Sequence, residues 1–183
     1  MKMFKVNGNE YNLVDSWDEL MLDSYIKFAK LEKDKEFLIP ESHLLRLLEI
    51  LSGCNEGDLD DLSLTQYTEL QNSIEFLSEA PADRTEQHIV IDGMDYWFER
   101  GFNENISIGA YVSARTLIEN AADELDVISK LIAILLRKAT FVDGKWKQEK
   151  FDPSKIYSDA EVLEKRLRAV DIIGHLNFFL NGK

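Results

Sequence analysis

The chain has 183 residues, 45% of them hydrophobic, which is enough to bury one substantial core or two small ones. Its 21 basic and 34 acidic residues give a formal net charge of −13, and no run of Lys and Arg stands out. We therefore expect no direct contact with nucleic acid or with an anionic membrane, because the electrostatic attraction that drives such contacts is missing.

Cys54 is the only cysteine, so the chain cannot form an internal disulfide. The first residues contain no apolar segment of the kind found in signal peptides. Apolar stretches such as residues 131–136 are far shorter than the roughly 20 residues that a membrane span needs. We expect the protein to act in a cytoplasm, or in something assembled there.

The chain opens with a predicted β-hairpin. Residues 3–6 and 10–13 lie on either side of Asn7-Gly8 and have the composition of strands. Asn-Gly favours a type I′ turn, because both central residues of that turn need a positive φ. Two segments with helical apolar spacing follow, around residues 20–31 and 44–51.

A further helix is predicted over residues 64–77. Ser63 precedes it and Gln66 stands three residues later, which is the spacing of a capping box. The same spacing of Ser and Glu at Ser16 and at Ser158 predicts two other helix starts.

Residues 79–84 form the predicted linker to a second hairpin, whose turn is Asp92-Gly93. This hairpin matches the first at a spacing of 85 residues, and the two helices after it match at spacings of 86 and 84. Any two amphipathic helices can be aligned somewhere, so the helical matches are weak evidence for a repeat. The stronger evidence is the shared order of the elements and their near-constant spacing. We interpret the pattern as one duplicated unit. Its matched pairs include Gly8/Gly93, Tyr11/Tyr96, Leu13/Phe98, Trp17/Phe102, Leu22/Ile108, Ile26/Val112, Leu47/Leu131 and Leu51/Leu135.

A third hairpin is predicted around Asp143-Gly144, with strands at residues 140–142 and 145–147. Helices near residues 158–170 and 171–180 end the chain. The predicted fold is α+β and predominantly helical, with a duplicated β-hairpin plus two-helix unit, a third hairpin and C-terminal helices.

We divide the chain into three parts that are expected to form one compact unit. Residues 1–80 hold the first repeat and the intervening helix, and residues 86–139 hold the second repeat. Residues 140–183 hold the third hairpin and the C-terminal helices.

Histidine and cysteine are placed poorly for chemistry. His43, His88 and His175 are scattered without metal-ligand spacing, and His88 is more simply a polar residue at a hairpin edge than a general base. Cys54 lies in an acidic segment, residues 53–58, which should raise its pKa and leave it unreactive.

The acidic residues Asp58, Asp60 and Asp61 suggest calcium, but the Gly and Glu that an EF-hand loop needs are missing. Glycine-rich phosphate loops and a Gly-x-Ser-x-Gly motif are also missing. We predict no catalytic residue, no cofactor and no metal, and therefore a protein that is not an enzyme.

The candidate interaction residues are apolar. They lie on hairpins or at the end of the chain, where they could either close the core or serve as anchors for a partner. These residues are Trp97, Trp146, Phe178, Phe179 and Leu180.

Five segments carry a resemblance to known proteins, namely residues 4–11, 16–26, 50–53, 132–137 and 177–182. In their order along the chain they resemble small structural or assembly proteins of tailed bacteriophages, particularly of the crAss-like group. The resemblance implies a non-enzymatic role as a neck or tail ring component, a packaged cargo protein or a tail-assembly chaperone. It implies other phage structural proteins as partners, and copies of the chain itself as a homo-oligomer. It also implies a location in the virion, or in the host bacterial cytoplasm during assembly.

An alternative from another class is an acidic binding module or inhibitor that engages a basic host protein. An enzyme would need a pocket with convergent polar groups and strongly shifted pKa values.

Overall fold

A computed structural model describes residues 1–34, 36, 38–82, 84, 86–99 and 106–175. The fold is α+β, as predicted, and about half of it is helical. The strands are β1 (Lys2–Val6), β2 (Asn9–Leu13), β3 (His88–Ile91), β4 (Met94–Phe98), β5 (Leu136–Val142) and β6 (Lys145–Gln148). The helices are α1 (Leu22–Asp34), α2 (Pro40–Ser52), α3 (Leu64–Ser73), α4 (Ile108–Asn120), α5 (Ile128–Leu135) and α6 (Ile156–Arg166).

The chain divides into two compact units. The first unit is Met1–Ala82 with Arg168–Val170, and the second is Asp83–Leu167 with the chain from Asp171 onward. The sequence-based division between residues 80 and 86 lies beside this boundary. The division between residues 139 and 140 falls inside β5, and both of its sides belong to the second unit.

In the first unit, β1 and β2 form a two-stranded antiparallel sheet. Its turn residues Asn7 and Gly8 have φ values of 50° and 82°, which confirms the predicted type I′ hairpin. Val6 and Leu13 are buried, and leucines of α1 and α2 are buried with them. Helix α2 ends at Gly53, whose φ of 68° gives the left-handed conformation that glycine adopts without strain.

One of the three predicted helix starts is confirmed. The amide of Gln66 donates to Ser63 Oγ at 3.3 Å, and the amide of Ser63 donates to Gln66 Oε1 at 3.1 Å, so α3 begins with a capping box. The prediction at Ser16 is wrong, because α1 begins at Leu22.

The prediction at Ser158 is also wrong, because Ser158 lies inside α6. Asp152 accepts a hydrogen bond of 3.0 Å from the amide of Ser154, and Pro153 follows Asp152 directly. Asp followed by Pro is a stronger start signal than Ser158, so a 3-10 turn at Pro153–Lys155 leads into α6 earlier than predicted.

In the second unit, four antiparallel strands form one sheet in the order β3-β4-β5-β6. The turns at Asp92-Gly93 and Asp143-Gly144 have φ values of 51° and 75°, and of 52° and 75°, so both predicted hairpins are confirmed. Strand β5 begins directly after α5 and pairs with β4, for example at Trp97↔Arg137. The second and third hairpins therefore share a sheet, which the sequence did not predict.

One face of this sheet is buried and the other is partly open. The buried side chains on the first face are Ile89, Ile91, Tyr96, Phe98 and Leu136. A helical core cluster in the same unit contains Ala110, Ala114, Val127, Leu131, Ile134 and Ile156, with Ile106, Leu117, Ile118, Ala121 and Phe151 packed against it.

The predicted repeat matches the observed elements. Helices α1 and α4 each have 13 residues and begin 86 residues apart, and β2 and β4 coincide at a spacing of 85. In α2 and α5, Leu51 and Leu135 are both buried at a spacing of 84. Phe102, the predicted match of Trp17, lies outside the described residues.

The match between α1 and α4 is wrong about which side chains face the core. Leu22 and Ile26 of α1 are buried, but their counterparts Ile108 and Val112 are 76% and 52% exposed. Helix α4 instead buries Ala110 and Ala114, which lie two residues further along. A shift of two residues turns the helix by about 200°, so the helix presents a different face to its core.

Candidate functional site

Trp97 and Trp146 lie on the open face of the four-stranded sheet. Trp97 pairs with His88 on β3 and with Arg137 on β5, so these three side chains share one face of the sheet. Trp146 on β6 pairs with Phe141 on β5. The neighbours that alternate with Trp97, such as Tyr96, point to the buried face.

The rings on this face contact one another. The Trp146 ring stacks on His88 with centroids 4.1 Å apart and on Trp97 with centroids 6.2 Å apart. Phe141 contacts Trp146 at 5.2 Å in a tilted arrangement. We call His88, Trp97, Phe141 and Trp146 the aromatic face. Its first, second and fourth members are half-buried, whereas Phe141 is 61% exposed.

Polar side chains hold β6 against the rest of the sheet. Gln148 Nε2 donates to the carbonyl of Trp97 at 2.5 Å and to that of Leu135 at 2.9 Å. Arg137 donates to Gln148 Oε1 at 2.5 Å and to the carbonyl of Glu149 at 2.8 Å. These bonds explain why the third hairpin lies where Trp146 can stack on His88.

Arg137 is the most unusual charge of this face. Burial lowers the pKa of its guanidinium, and the negative charge of Glu99 acts in the opposite direction. Its Nε atom is buried without a hydrogen-bond partner. The head group is therefore held by backbone and amide oxygens, which fixes its direction on the face.

His88 is held by its neighbours. Its Nε2 atom lies 2.7 Å from Asp95 Oδ1, and its ring is covered by Trp146. Both observations agree with the simpler interpretation of His88 as a polar residue at a hairpin edge.

Two of the five predicted anchors, Trp97 and Trp146, are brought together in this way. The other three, Phe178, Phe179 and Leu180, lie outside the described residues.

Sequence reasoning missed Phe141, Arg137 and Gln148. Phe141 could have been found from the turn alone. A two-residue Asp143-Gly144 hairpin sets the register Phe141↔Trp146, which places an aromatic pair directly across two strands.

The first unit shows what this face looks like without aromatic side chains. At the spacing of 85 residues, the positions of His88 and Trp97 are taken by Met3 and Asn12, which are both exposed. The hairpin-plus-helix unit therefore folds without the aromatic face. The aromatic face is a specific feature of the second unit.

Cys54 has the environment that the sequence predicted. Burial, together with the negative charges of Glu49 and Asp58, raises the pKa of its thiol, and Ser52 Oγ lies 3.1 Å from its Sγ. A thiol with a raised pKa is a poor nucleophile at neutral pH.

Glu49 is a buried carboxylate that the sequence did not indicate. It fixes the loop next to Cys54 through hydrogen bonds. It accepts a hydrogen bond of 2.6 Å from the amide of Gly57 and lies 3.1 Å from Arg46 Nη1. A buried carboxylate with partners on both oxygens has a structural role.

The acidic loop makes hydrogen bonds within the first unit. Asp58 accepts a hydrogen bond from the amide of Asn55 at 2.9 Å, and Asp61 accepts one from Asn7 Nδ2 at 2.7 Å. Across the described residues, no group of three or more His, Cys, Asp or Glu side chains is arranged to hold a metal ion. Among the described helices, none is long and apolar enough to cross a membrane.

A cavity of about 200 Å³ lies between the buried face of the sheet and α6. It is smaller than the roughly 300–1,000 Å³ of most small-molecule sites. Its lining includes Tyr96, whose pKa is raised by burial and then by the charges of Asp159 and Glu149. A phenol kept protonated in this way is unsuited to act as a base.

Among the described residues, the aromatic face is therefore the arrangement best suited to contact another molecule. Tryptophan and arginine are among the residue types that contribute most of the free energy at protein interfaces, and phenylalanine is enriched in them. Comparison with family models, with curated proteins and with solved structures finds no match to this chain.

Proposed function

We propose that this chain is a non-enzymatic structural or assembly protein of a tailed-bacteriophage virion. It acts through contacts with other phage structural proteins and with its own copies. Its role is that of a neck or tail ring component, a packaged cargo protein or a tail-assembly chaperone. It is located in the virion, or in the host bacterial cytoplasm during assembly.

The observation that supports a contact role is the exposure of Phe141 on the aromatic face. Its side chain is 61% exposed and lies beside Trp146. When a partner covers an exposed aromatic side chain next to a partly covered tryptophan, a large apolar area is removed from water, which favours binding. The absence of such a face from the matching hairpin of the first unit supports a function beyond folding.

The phage setting is supported by the sequence resemblance.

Phe141→Ser is the sharpest test of the contact role. Because the side chain is mostly exposed and loses only its cross-strand contact with Trp146, its removal should lower stability by about 1 kcal/mol or less. Leu64→Ser is the matched control, since Leu64 is 85% exposed and lies in the first unit. Each variant is supplied during infection, and quantitative mass spectrometry of purified virions gives the copies per particle.

We expect the wild type and Leu64→Ser at the same copy number, and Phe141→Ser reduced about tenfold. Equal copy numbers of all three chains per virion would mean that the aromatic face does not make the proposed contact. Absence of the wild type from virions, together with a salt-sensitive complex with a basic host protein, would instead favour the acidic binding module or inhibitor.

A further inference from the structure

The β5–β6 hairpin has a second surface on the side opposite the aromatic face. Successive residues of a strand point to opposite sides, so Lys145 and Lys147 lie on the other side of β6 from Trp146. Their partners on β5 are Val142 and Thr140, and all four side chains are exposed. We call these four residues the lysine side of the hairpin.

The hairpin is basic in a chain that is otherwise strongly acidic. Residues 136–150 contain five basic and two acidic side chains, a net charge of +3, which leaves −16 on the rest of the chain. The sequence-based expectation of no basic cluster missed this because the five side chains are spread over 14 positions, from Arg137 to Lys150. Strand pairing places Lys145 and Lys147 on one side of the hairpin, whereas Arg137 lies on the side of Trp97.

Lysines on an edge strand often prevent sheets from pairing edge to edge, and β6 is an edge of its sheet. That role does not account for the whole surface. The opposite edge, β3, contains no lysine, and the lysine side also exposes Val142 at 49%. A partner that covers this side would therefore bury the apolar Val142 side chain as well as pair with the two lysines.

We propose that the lysine side of the β5–β6 hairpin binds an acidic surface of a second copy of this chain. The argument is charge complementarity, because a hairpin of charge +3 meets a molecule that carries −16 elsewhere. The repulsion between two acidic copies is screened beyond about 8 Å at physiological salt, whereas the hairpin acts at contact. The inference rests on the proposed function, in which copies of the chain assemble.

Such a contact is heterologous, since the basic hairpin of one copy meets a different surface of the next. Heterologous contacts generate rings when the rotation closes, and filaments when it does not. A single-stranded nucleic acid fits less well, because the lysine side contains no aromatic ring on which bases could stack.

Sedimentation velocity of the full chain over a range of concentrations tests the proposal. The variant Lys145→Glu/Lys147→Glu is compared with the wild type and with Lys33→Glu/Lys165→Glu. The latter makes the same change of net charge at exposed lysines outside the hairpin. We expect the wild type to self-associate, the hairpin variant to raise the Kd of self-association about tenfold or more, and the control to change it by less than about twofold.

A wild type that is monomeric at every concentration would overturn the proposal, and so would equal weakening by both variants. The wild type and both variants are also tested for binding to a single-stranded oligonucleotide and to phosphatidylserine vesicles. If only the hairpin variant loses such binding, the surface belongs to another partner and the proposal is overturned. Circular dichroism verifies that the variants fold, and Lys145→Gln/Lys147→Gln replaces the hairpin variant if the charge reversal unfolds it. Virion copy number is measured separately, so failure of the proposed function is distinguished from failure of self-association.

Discussion

The amide of Val14 donates a hydrogen bond of 3.1 Å to the carbonyl of Leu51, and the amide of Glu99 donates one of 3.0 Å to the carbonyl of Leu135. In both units, this bond joins the residue after a hairpin to the last turn of the second helix that follows it. The two bonds correspond at spacings of 85 and 84 residues, which are the spacings of the predicted repeat. Two units that share a turn type, the bounds of their first helix and this hydrogen bond are best explained by internal duplication.

Replacing glycine by alanine should lower the free energy of unfolding in a hairpin turn and raise it in helix α4. Gly93 has a φ of 75°, so Gly93→Ala should lower the free energy of unfolding by about 1 kcal/mol. Gly109 lies in α4, where an added Cβ would meet the Phe151 ring at an ordinary 3.5 Å. Gly109→Ala should therefore raise the free energy of unfolding by about 0.5–1 kcal/mol. Urea denaturation measures both, and effects of the same sign would contradict this assignment.

The helix starts can be tested with serine-to-alanine changes. Ser63→Ala removes an observed capping box and should cost about 1 kcal/mol. Ser158→Ala should cost less than about 0.5 kcal/mol, because Ser158 lies inside α6 and its Oγ donates only to the carbonyl of Lys155. In thermal unfolding, Ser63→Ala should lose clearly more stability than Ser158→Ala. Equal losses of stability would indicate that Ser158 does cap a helix start.

Glu49 should contribute to stability through both of its carboxylate oxygens. Glu49→Ala leaves the Gly57 amide without its acceptor and Arg46 without a buried partner, so we expect a loss of about 2–3 kcal/mol. Glu49→Gln keeps an acceptor for Gly57 and should cost about half as much. Glu56→Ala is the control, since Glu56 also pairs with Arg46 but is 75% exposed and should contribute less than about 0.5 kcal/mol. A control as destabilising as Glu49→Ala in urea titrations would refute this role.

The thiol of Cys54 should react slowly at neutral pH. Its pKa is raised in the folded protein, mainly by burial, so alkylation should reach half of its maximal rate at a higher pH than in the urea-unfolded chain. The folded state holds the proton more tightly, so stability should fall as pH rises past the ordinary thiol pKa. A Cys54→Ser variant should lack that part of the pH dependence. Identical alkylation profiles for folded and unfolded chains would contradict the prediction.

Features that depend on a few neighbouring residues were predictable from the sequence. The three turns follow from Asn-Gly and Asp-Gly dipeptides, whose backbone preference is local. Ser63 with Gln66 is likewise a local signal, but the same spacing at Ser16 and Ser158 predicted helix starts that the structure does not have.

Features that depend on distant residues were not predictable. Apolar periodicity did not indicate that α4 buries Ala110 rather than Ile108, because both positions fit a helical stripe and the packing partners select between them. The pairing of β5 with β4 joins residues about 40 positions apart, and it is this pairing that creates the aromatic face. Trp97 and Trp146 were identifiable as aromatic residues on hairpins, but their stacking depends on that non-local sheet.

The proposed function is that of a virion protein that makes its contacts through the second unit. Cryo-electron microscopy of the assembled particle tests it most directly. We expect density for this chain in which Phe141 and the neighbouring Trp146 are buried against another protein of the particle. A particle in which the chain is present with the aromatic face open to solvent would contradict the assigned contact surface. A particle without the chain at any stage of assembly would contradict the proposed function itself.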